Sequence, residues 1–296
     1  MRRSLLALIS AGLLAISIAA PASAITGNYV EDFEHPFVGL IAFYDADGNF
    51  SHRCSGSLIA PRVFLTAGHC TADDSTADPT DVMASARIWF RQDAGAEFNG
   101  TIDPRTGYPD SCINDPNYPD AQEQCVTADE MYNYGFDNFA GFPNTRDVGV
   151  VILDKAVNLP EYGTLAPAGT MDKLKAKGNT TLTVSGYGIT EAADKHGPAV
   201  SFRERLMAVS TVTNTESSWN DGFNLQTQGN GSGRGGTCSG DSGGPVFLGG
   251  TSSNLIVAVT SFGKNAQCIG TDYAYRTDRA EVIAWIDEVA GRLWNP

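Results

Sequence analysis

Cys238-Ser239-Gly240-Asp241-Ser242-Gly243-Gly244-Pro245 is the stretch on which the reading of this chain turns. It sets Ser242 among glycines, where the backbone can turn tightly and expose its N–H groups. A serine hydroxyl is a weak nucleophile, so it needs a base to take its proton and nearby donors to hold a developing oxyanion. Histidine is the usual base, and the chain has four: His35, His52, His69 and His196. The fragment Gly240 to Gly244 also fits the G-x-S-x-G elbow of the α/β-hydrolases, a fold that needs its histidine after the serine. No histidine follows Ser242, and that reading fails.

Working back along the chain, Leu65-Thr66-Ala67-Gly68-His69-Cys70 follows a strand-like run and sets His69 beside a cysteine. Taken singly, such a histidine is more often a surface or hydrogen-bonded structural residue than a catalyst. Asn144-Thr145-Arg146-Asp147 then supplies a carboxylate directly before the apolar run Val148 to Leu153, where it can be buried beside an imidazole and set its tautomer. A lone Asp at a strand start is ordinarily a turn residue. The chain order His, Asp, Ser is what gives the three their joint meaning.

Thr66-Ala67-Gly68-His69-Cys70, Asp147-Val148-Gly149-Val150-Val151 and Gly240-Asp241-Ser242-Gly243-Gly244-Pro245 resemble, in order, the signatures of the chymotrypsin-like (trypsin-fold) serine peptidases. Ser185-Gly186-Tyr187-Gly188 is similar to that family's mid-chain T-G-W-G, and Thr260-Ser261-Phe262-Gly263 to its S-W-G strand. The resemblance implies an all-β fold of two packed six-stranded antiparallel barrels, with a C-terminal helix against the second. It implies Ser242 as nucleophile, His69 as general base and acid, and Asp147 as the residue orienting the imidazole. The amides of Gly240 and Ser242 would form the oxyanion hole, and Ser261, Phe262 and Gly263 would pair with an extended substrate. It also implies an activating N-terminal Ile25 whose ammonium pairs with Asp241.

Specificity is read from what the family's pattern lacks here. Where trypsin-like members carry a pocket-floor Asp, this chain has Gly236. Asp272 falls near a pocket-wall position commonly occupied by Gly, from which a carboxylate could reach a basic side chain; the other reading is a solvated turn residue in Gly270-Thr271-Asp272.

Composition has the balance of a packed, turn-rich globular protein. The 296 residues suit one large all-β domain, with 42% hydrophobic and 18% charged residues. Net charge is −14, two of the basic residues lie at Arg2 and Arg3, and no Lys/Arg run is present, so nucleic acid and anionic membrane are excluded as partners. Residues 1–24 read as a signal peptide: Arg2 and Arg3, the apolar run Leu5 to Ala20, then Ala22-Ser23-Ala24 as the cleavage motif. Residues 25–296 form the expected mature domain.

Short runs rich in Val, Ile, Leu and Phe, such as Phe37 to Tyr44 and Leu255 to Phe262, predict strands. Val282, Ile286, Val289 and Leu293 predict a terminal helix, with Asp278 as N-cap and Glu281 completing a capping box. Residues 99–144 read as a long insertion, either a stabilising surface loop or a flap over the substrate carrying Tyr108, Tyr118, Tyr132, Tyr134 and Phe136.

By count alone the six cysteines allow fifteen connectivities. The resemblance pairs Cys54 with Cys70 and Cys238 with Cys268, which leaves Cys112 with Cys125. Asp73, Asp74, Asp78 and Asp81 lack EF-hand spacing and read as a solvated loop, so neither metal nor cofactor is expected. Sequons at Asn49, Asn99, Asn179 and Asn230 mark candidate surface loops. Expected partners are a polypeptide substrate and a protein inhibitor, and the expected state is a monomer. The competing functional class is a catalytically silent homologue that uses the same fold for binding or adhesion.

Overall fold

The computed structural model describes residues 25–76, 78, 81–95, 107–109, 112, 125–174, 180–190, 204–229 and 234–294. The segment 1–24 expected to be a signal peptide, Tyr118, His196 and the sequons at Asn99, Asn179 and Asn230 lie outside these residues.

The chain enters through two short strands, β1 (Thr26–Gly27) and β2 (Tyr29–Glu31). The first barrel follows as β3 (Val38–Tyr44), β4 (Phe50–Ala60), β5 (Val63–Thr66), β6 (Ser85–Trp89), β7 (Val126–Ala128), β8 (Glu130–Asn133) and β9 (Gly149–Ile152). A single helical turn, α1 (Gly68–Thr71), leaves the end of β5. The second barrel comprises β10 (Thr164–Leu165), β11 (Thr181–Gly186), β12 (Leu206–Asn214), β13 (Asn224–Thr227), β15 (Pro245–Leu248), β16 (Leu255–Gly263) and β17 (Asp272–Arg276), preceded in part by the turn α2 (Thr170–Lys173). The short β14 (Gly235–Gly236) pairs with β1, and α3 (Ala280–Ala290) ends the fold.

Six strands of the second half close on themselves in the order β16, β15, β11, β12, β13, β17, because β17 pairs back onto β16. β10 and β2 attach outside that ring. The first half is a nearly closed antiparallel path of seven strands, β7-β6-β3-β4-β5-β9-β8. Two of the seven, β7 and β8, come from the stretch expected to be loop. Residues 126–128 pair with β6 and residues 130–133 with β9, so this part of 99–144 belongs to the barrel wall. Those segments were hidden among polar residues because short edge strands need only one apolar face.

β3 is buried along its whole length and runs through a core that includes Phe37, Leu40, Phe64 and Val151. Tyr187, Phe247 and Tyr275 of the second half belong to the same cluster, which locks the barrels together. The helix is found where expected, with Val282, Ile286 and Ala290 buried, but this face joins the cluster of the first barrel, and Trp285 packs 5.1 Å from Tyr134. Asp278 does not cap it. The N-cap is Arg279 without a side-chain cap, while the buried Asp278 carboxylate pairs with Arg276 Nε at 2.8 Å and accepts Met171 N–H at 2.7 Å. A buried guanidinium outcompetes a helix end for a carboxylate because an unpaired buried charge costs more than an open cap.

Disulfides join Cys54–Cys70, Cys112–Cys125 and Cys238–Cys268.

Candidate active site

The crevice is assembled from turns at strand ends. His69 lies on α1, anchored to β4 by the Cys54–Cys70 bridge. Asp147 precedes β9 and is wholly buried. Its Oδ1 accepts the His69 backbone N–H at 2.7 Å, and its Oδ2 lies 2.9 Å from His69 Nδ1. The Ser261 hydroxyl donates to the same Oδ2. These bonds hold the ring with Nε2 directed away from Asp147. Burial pulls the imidazole pKa down, but the charge and hydrogen bond of Asp147 outweigh it and raise the pKa above its ordinary value.

Asn133 supports this arrangement, and no motif announced it. Its Nδ2 donates to the Gly68 carbonyl at 3.0 Å, and its Oδ1 accepts from Gly135 and Phe136 N–H, each at 2.8 Å. Only the Asn-x-Gly turn pattern at residues 133–135 could have signalled it.

Ser242 sits on a turn pressed against the first barrel. Its carbonyl accepts Ser55 N–H at 2.8 Å, and Gly243 N–H donates to the Thr260 carbonyl at 2.8 Å. A Cβ at Gly243, where φ is +77°, would lie 2.1 Å from Thr66 Oγ1 and 2.5 Å from the Ser55 carbonyl. The glycine is therefore a packing requirement of the turn. Among the described residues no hydrogen bond joins the Ser242 hydroxyl to His69, a contact that commonly tightens only around substrate.

The Gly240 and Ser242 amides donate to no acceptor among the described residues. Neighbouring groups hold them in place. The Ser55 hydroxyl donates to the Gly240 carbonyl at 2.8 Å while accepting Tyr187 N–H at 2.9 Å. The Asp241 carboxylate accepts Gly188 N–H at 2.8 Å and Cys238 N–H at 2.9 Å. Burial pushes its pKa up to about 7 despite those two donors.

Beside Ser242 opens a pocket of about 140 Å³ lined by Thr237, Ser239, Ser261, Phe262, Gly263 and Asp272, among others. Gly236 does not line it, being buried in β14 opposite Thr26. Asp272 does line it, so the solvated-turn alternative falls: the residue is 6% exposed and its Oδ2 accepts Thr237 N–H at 2.8 Å. Burial raises its pKa to about 6, against the opposing effect of the Thr237 bonds. Aromatic rings border the crevice. Phe136 packs 5.8 Å from the His69 ring, Phe139 lies 5.5 Å from Phe262, and Phe262 stacks on Tyr273 at 4.6 Å. Tyr108 instead packs inward against Trp89.

Ile25 is fully buried in the core of the second barrel, with Thr26 paired to Gly236. Asp73, Asp74, Asp78, Asp81 and Asp137 line an open depression of about 320 Å³. Among the described residues the one group of potential metal-ligating atoms within 4.8 Å of each other is Cys54, His69 and Cys70, whose cysteines form a disulfide.

The trypsin family profile matches residues 25–286. The chain belongs to the trypsin family. It is 25% identical over 231 residues to the CLIP domain-containing serine protease B10 of Anopheles gambiae, covering 76% of this chain and 58% of that protein's length. Its fold is similar to that of HL collagenase, with a TM-score of 0.61 at 18% identity, covering 90% of this chain and 98% of that one. It is also similar to the scabies mite inactivated protease paralogue S-D1, with a TM-score of 0.57 at 15% identity, covering 93% and 100%.

Proposed function

We propose that residues 25–296 are a secreted serine endopeptidase that cleaves peptide bonds through an acyl-enzyme. The observation that carries this reading is the buried Asp147, bonded at once to the backbone and Nδ1 of His69 and to Ser261, beside two unengaged amides at a pocket mouth. In this reading Ser242 Oγ attacks the substrate carbonyl as His69 Nε2 takes its proton. Asp147 keeps Nδ1 protonated and stabilises the imidazolium. The oxyanion settles on the Gly240 and Ser242 amides, where one lost donor typically costs about 3 to 4 kcal/mol. His69 then gives the proton to the leaving amine, and water repeats the sequence on the acyl-enzyme.

Substrate main chain would pair with Ser261 to Gly263 on β16. Its cleaved residue would enter the pocket, where Asp272 favours Lys or Arg. Side chains upstream would meet Phe136, Phe139 and Phe262. Secretion is inferred from the segment 1–24, and no helix among the described residues is long and apolar enough to cross a membrane. The silent-homologue reading has a counterpart in the inactivated mite paralogue, but His69, Asp147 and Ser242 all stand here in intact motifs.

Labelling with an organophosphonate, followed by peptide mapping, tests the reading. Ser242 is the expected modified residue, and Ser242→Ala should lose about 10⁴ to 10⁶ in turnover. Activity surviving within tenfold, or label on another serine, would overturn it.

A further inference from the structure

Two successive amides in the wall of the pocket end on two different buried carboxylates. Thr237 N–H donates to Asp272 Oδ2 at 2.8 Å, and Cys238 N–H donates to Asp241 Oδ2 at 2.9 Å. Two residues further on, the Gly240 carbonyl is held from the first barrel by Ser55. The strip Thr237 to Gly240 is thus tied at one end by Asp272, in the middle by Asp241, and at the other end by Ser55.

Asp272 is suited to hold its end because its own backbone is fixed on both sides. It pairs with Thr227 on β13 and with Gly263 on β16. The neighbouring chain closes tightly around it. At Gly229, where φ is +63°, a Cβ would lie 1.8 Å from the Gly270 carbonyl and 3.3 Å from Asp272 Oδ2. No ion pair reaches Asp272 among the described residues, and the ammonium of the nearby Lys264 sits over the rings of Trp219 and Tyr273, at 5.0 and 5.5 Å. A carboxylate buried without a cation is costly, and the Thr237 amide offsets part of that cost.

We propose that Asp272 is a positioning residue for the oxyanion hole as well as the charge in the pocket: as acceptor for the Thr237 amide it holds the strip that presents the Gly240 and Ser242 amides. The inference rests on the peptidase reading given above. It assigns two separable tasks to one side chain. Recognition of a basic substrate needs the negative charge, whereas turnover of every substrate needs only an acceptor oxygen at this position. Asparagine keeps the oxygen and loses the charge; alanine loses both.

The test compares kcat and KM for matched peptides with Arg or Leu at the cleaved position, with active sites counted by organophosphonate. Asp272→Ala should lower kcat for the Leu peptide by about 10²-fold, the scale of a misplaced catalytic group. Asp272→Asn should recover at least tenfold of that loss, while kcat/KM for the Arg peptide stays depressed by about a hundredfold or more in both variants. A Leu kcat in Asp272→Ala within threefold of wild type, or an asparagine variant no better than alanine, overturns the proposal. If the alanine variant does not fold, the asparagine variant decides alone: a Leu kcat more than tenfold below wild type counts against the acceptor role. Wild-type protein that neither hydrolyses nor takes label would instead sink the peptidase reading, and this inference with it.

Discussion

Nδ1 of His35 lies 2.9 Å from both carboxylate oxygens of Asp32, and both side chains are fully buried. The Ser185 hydroxyl donates to Asp32 Oδ2 at 2.5 Å, and Arg205 Nε donates to the Asp32 carbonyl at 3.0 Å. This group ties the entering segment to β11 at Ser185, just before Tyr187 and Gly188, whose amides donate to Ser55 and Asp241.

Asp32→Ala should therefore destabilise the fold by about 3 to 5 kcal/mol at neutral pH, the usual cost of stripping one partner from a buried pair. Burial opposes ionisation of Asp32, but the His35 hydrogen bond and charge, then Ser185 and Arg205, outweigh it and lower its pKa below 3.8. A depressed folded-state pKa gives stability that is complete above the unfolded value and lost as pH falls through the folded one. Urea unfolding at several pH values checks this. The gap between wild type and variant should hold from about pH 7 to 5 and shrink below about pH 4. An equal gap at both ends would contradict the pairing.

Asp147→Asn should lower kcat by about 10⁴-fold, because the amide no longer enforces the imidazole tautomer. In the proposed mechanism neutral His69 is the base, and Asp147 raises its pKa above 6.5. The acidic limb of kcat/KM should accordingly lie above 6.5 in the wild type and move to lower pH in the variant. A limb that does not move would show that Asp147 does not set the His69 titration.

The ratio of kcat/KM for Arg over Leu peptides should fall as pH is lowered through about 6, where Asp272 takes up a proton. His69 titration acts on both substrates and cancels in the ratio, so the ratio reports Asp272. A constant ratio between pH 5 and 8 would place recognition of Arg elsewhere.

Enzyme purified in active form should begin at Ile25. That side chain is fully buried, and Thr26 already pairs with Gly236, five residues before Asp241. A free Ile25 ammonium would neutralise a carboxylate whose burial has raised its pKa to about 7. N-terminal sequencing decides: full activity in protein that retains Ala24, or that starts beyond Ile25, refutes it.

The turn at Ser242 and the placing of Asp147 beside His69 were legible in sequence because each lies in a short motif whose local backbone demand is met by its own neighbours. The glycines around Ser242 permit the turn, and the apolar run after Asp147 buries the carboxylate. The terminal helix was legible for the same reason, since its apolar spacing is local.

Tertiary structure decided the rest. Whether Asp272 faced solvent or the pocket depended on the pairing of β17 with both β16 and β13, the second of which brings in Thr227 from 45 residues earlier in the chain. Asp278 lost its capping role to Arg276 once burial made ion pairing the stronger demand. Residues 126–133 became strands because β6 and β9 offered them open edges. Local pattern specifies what a residue can do, but a buried polar group takes its partner from strands brought together across the fold, and the cost of leaving it unpaired determines which partner that is.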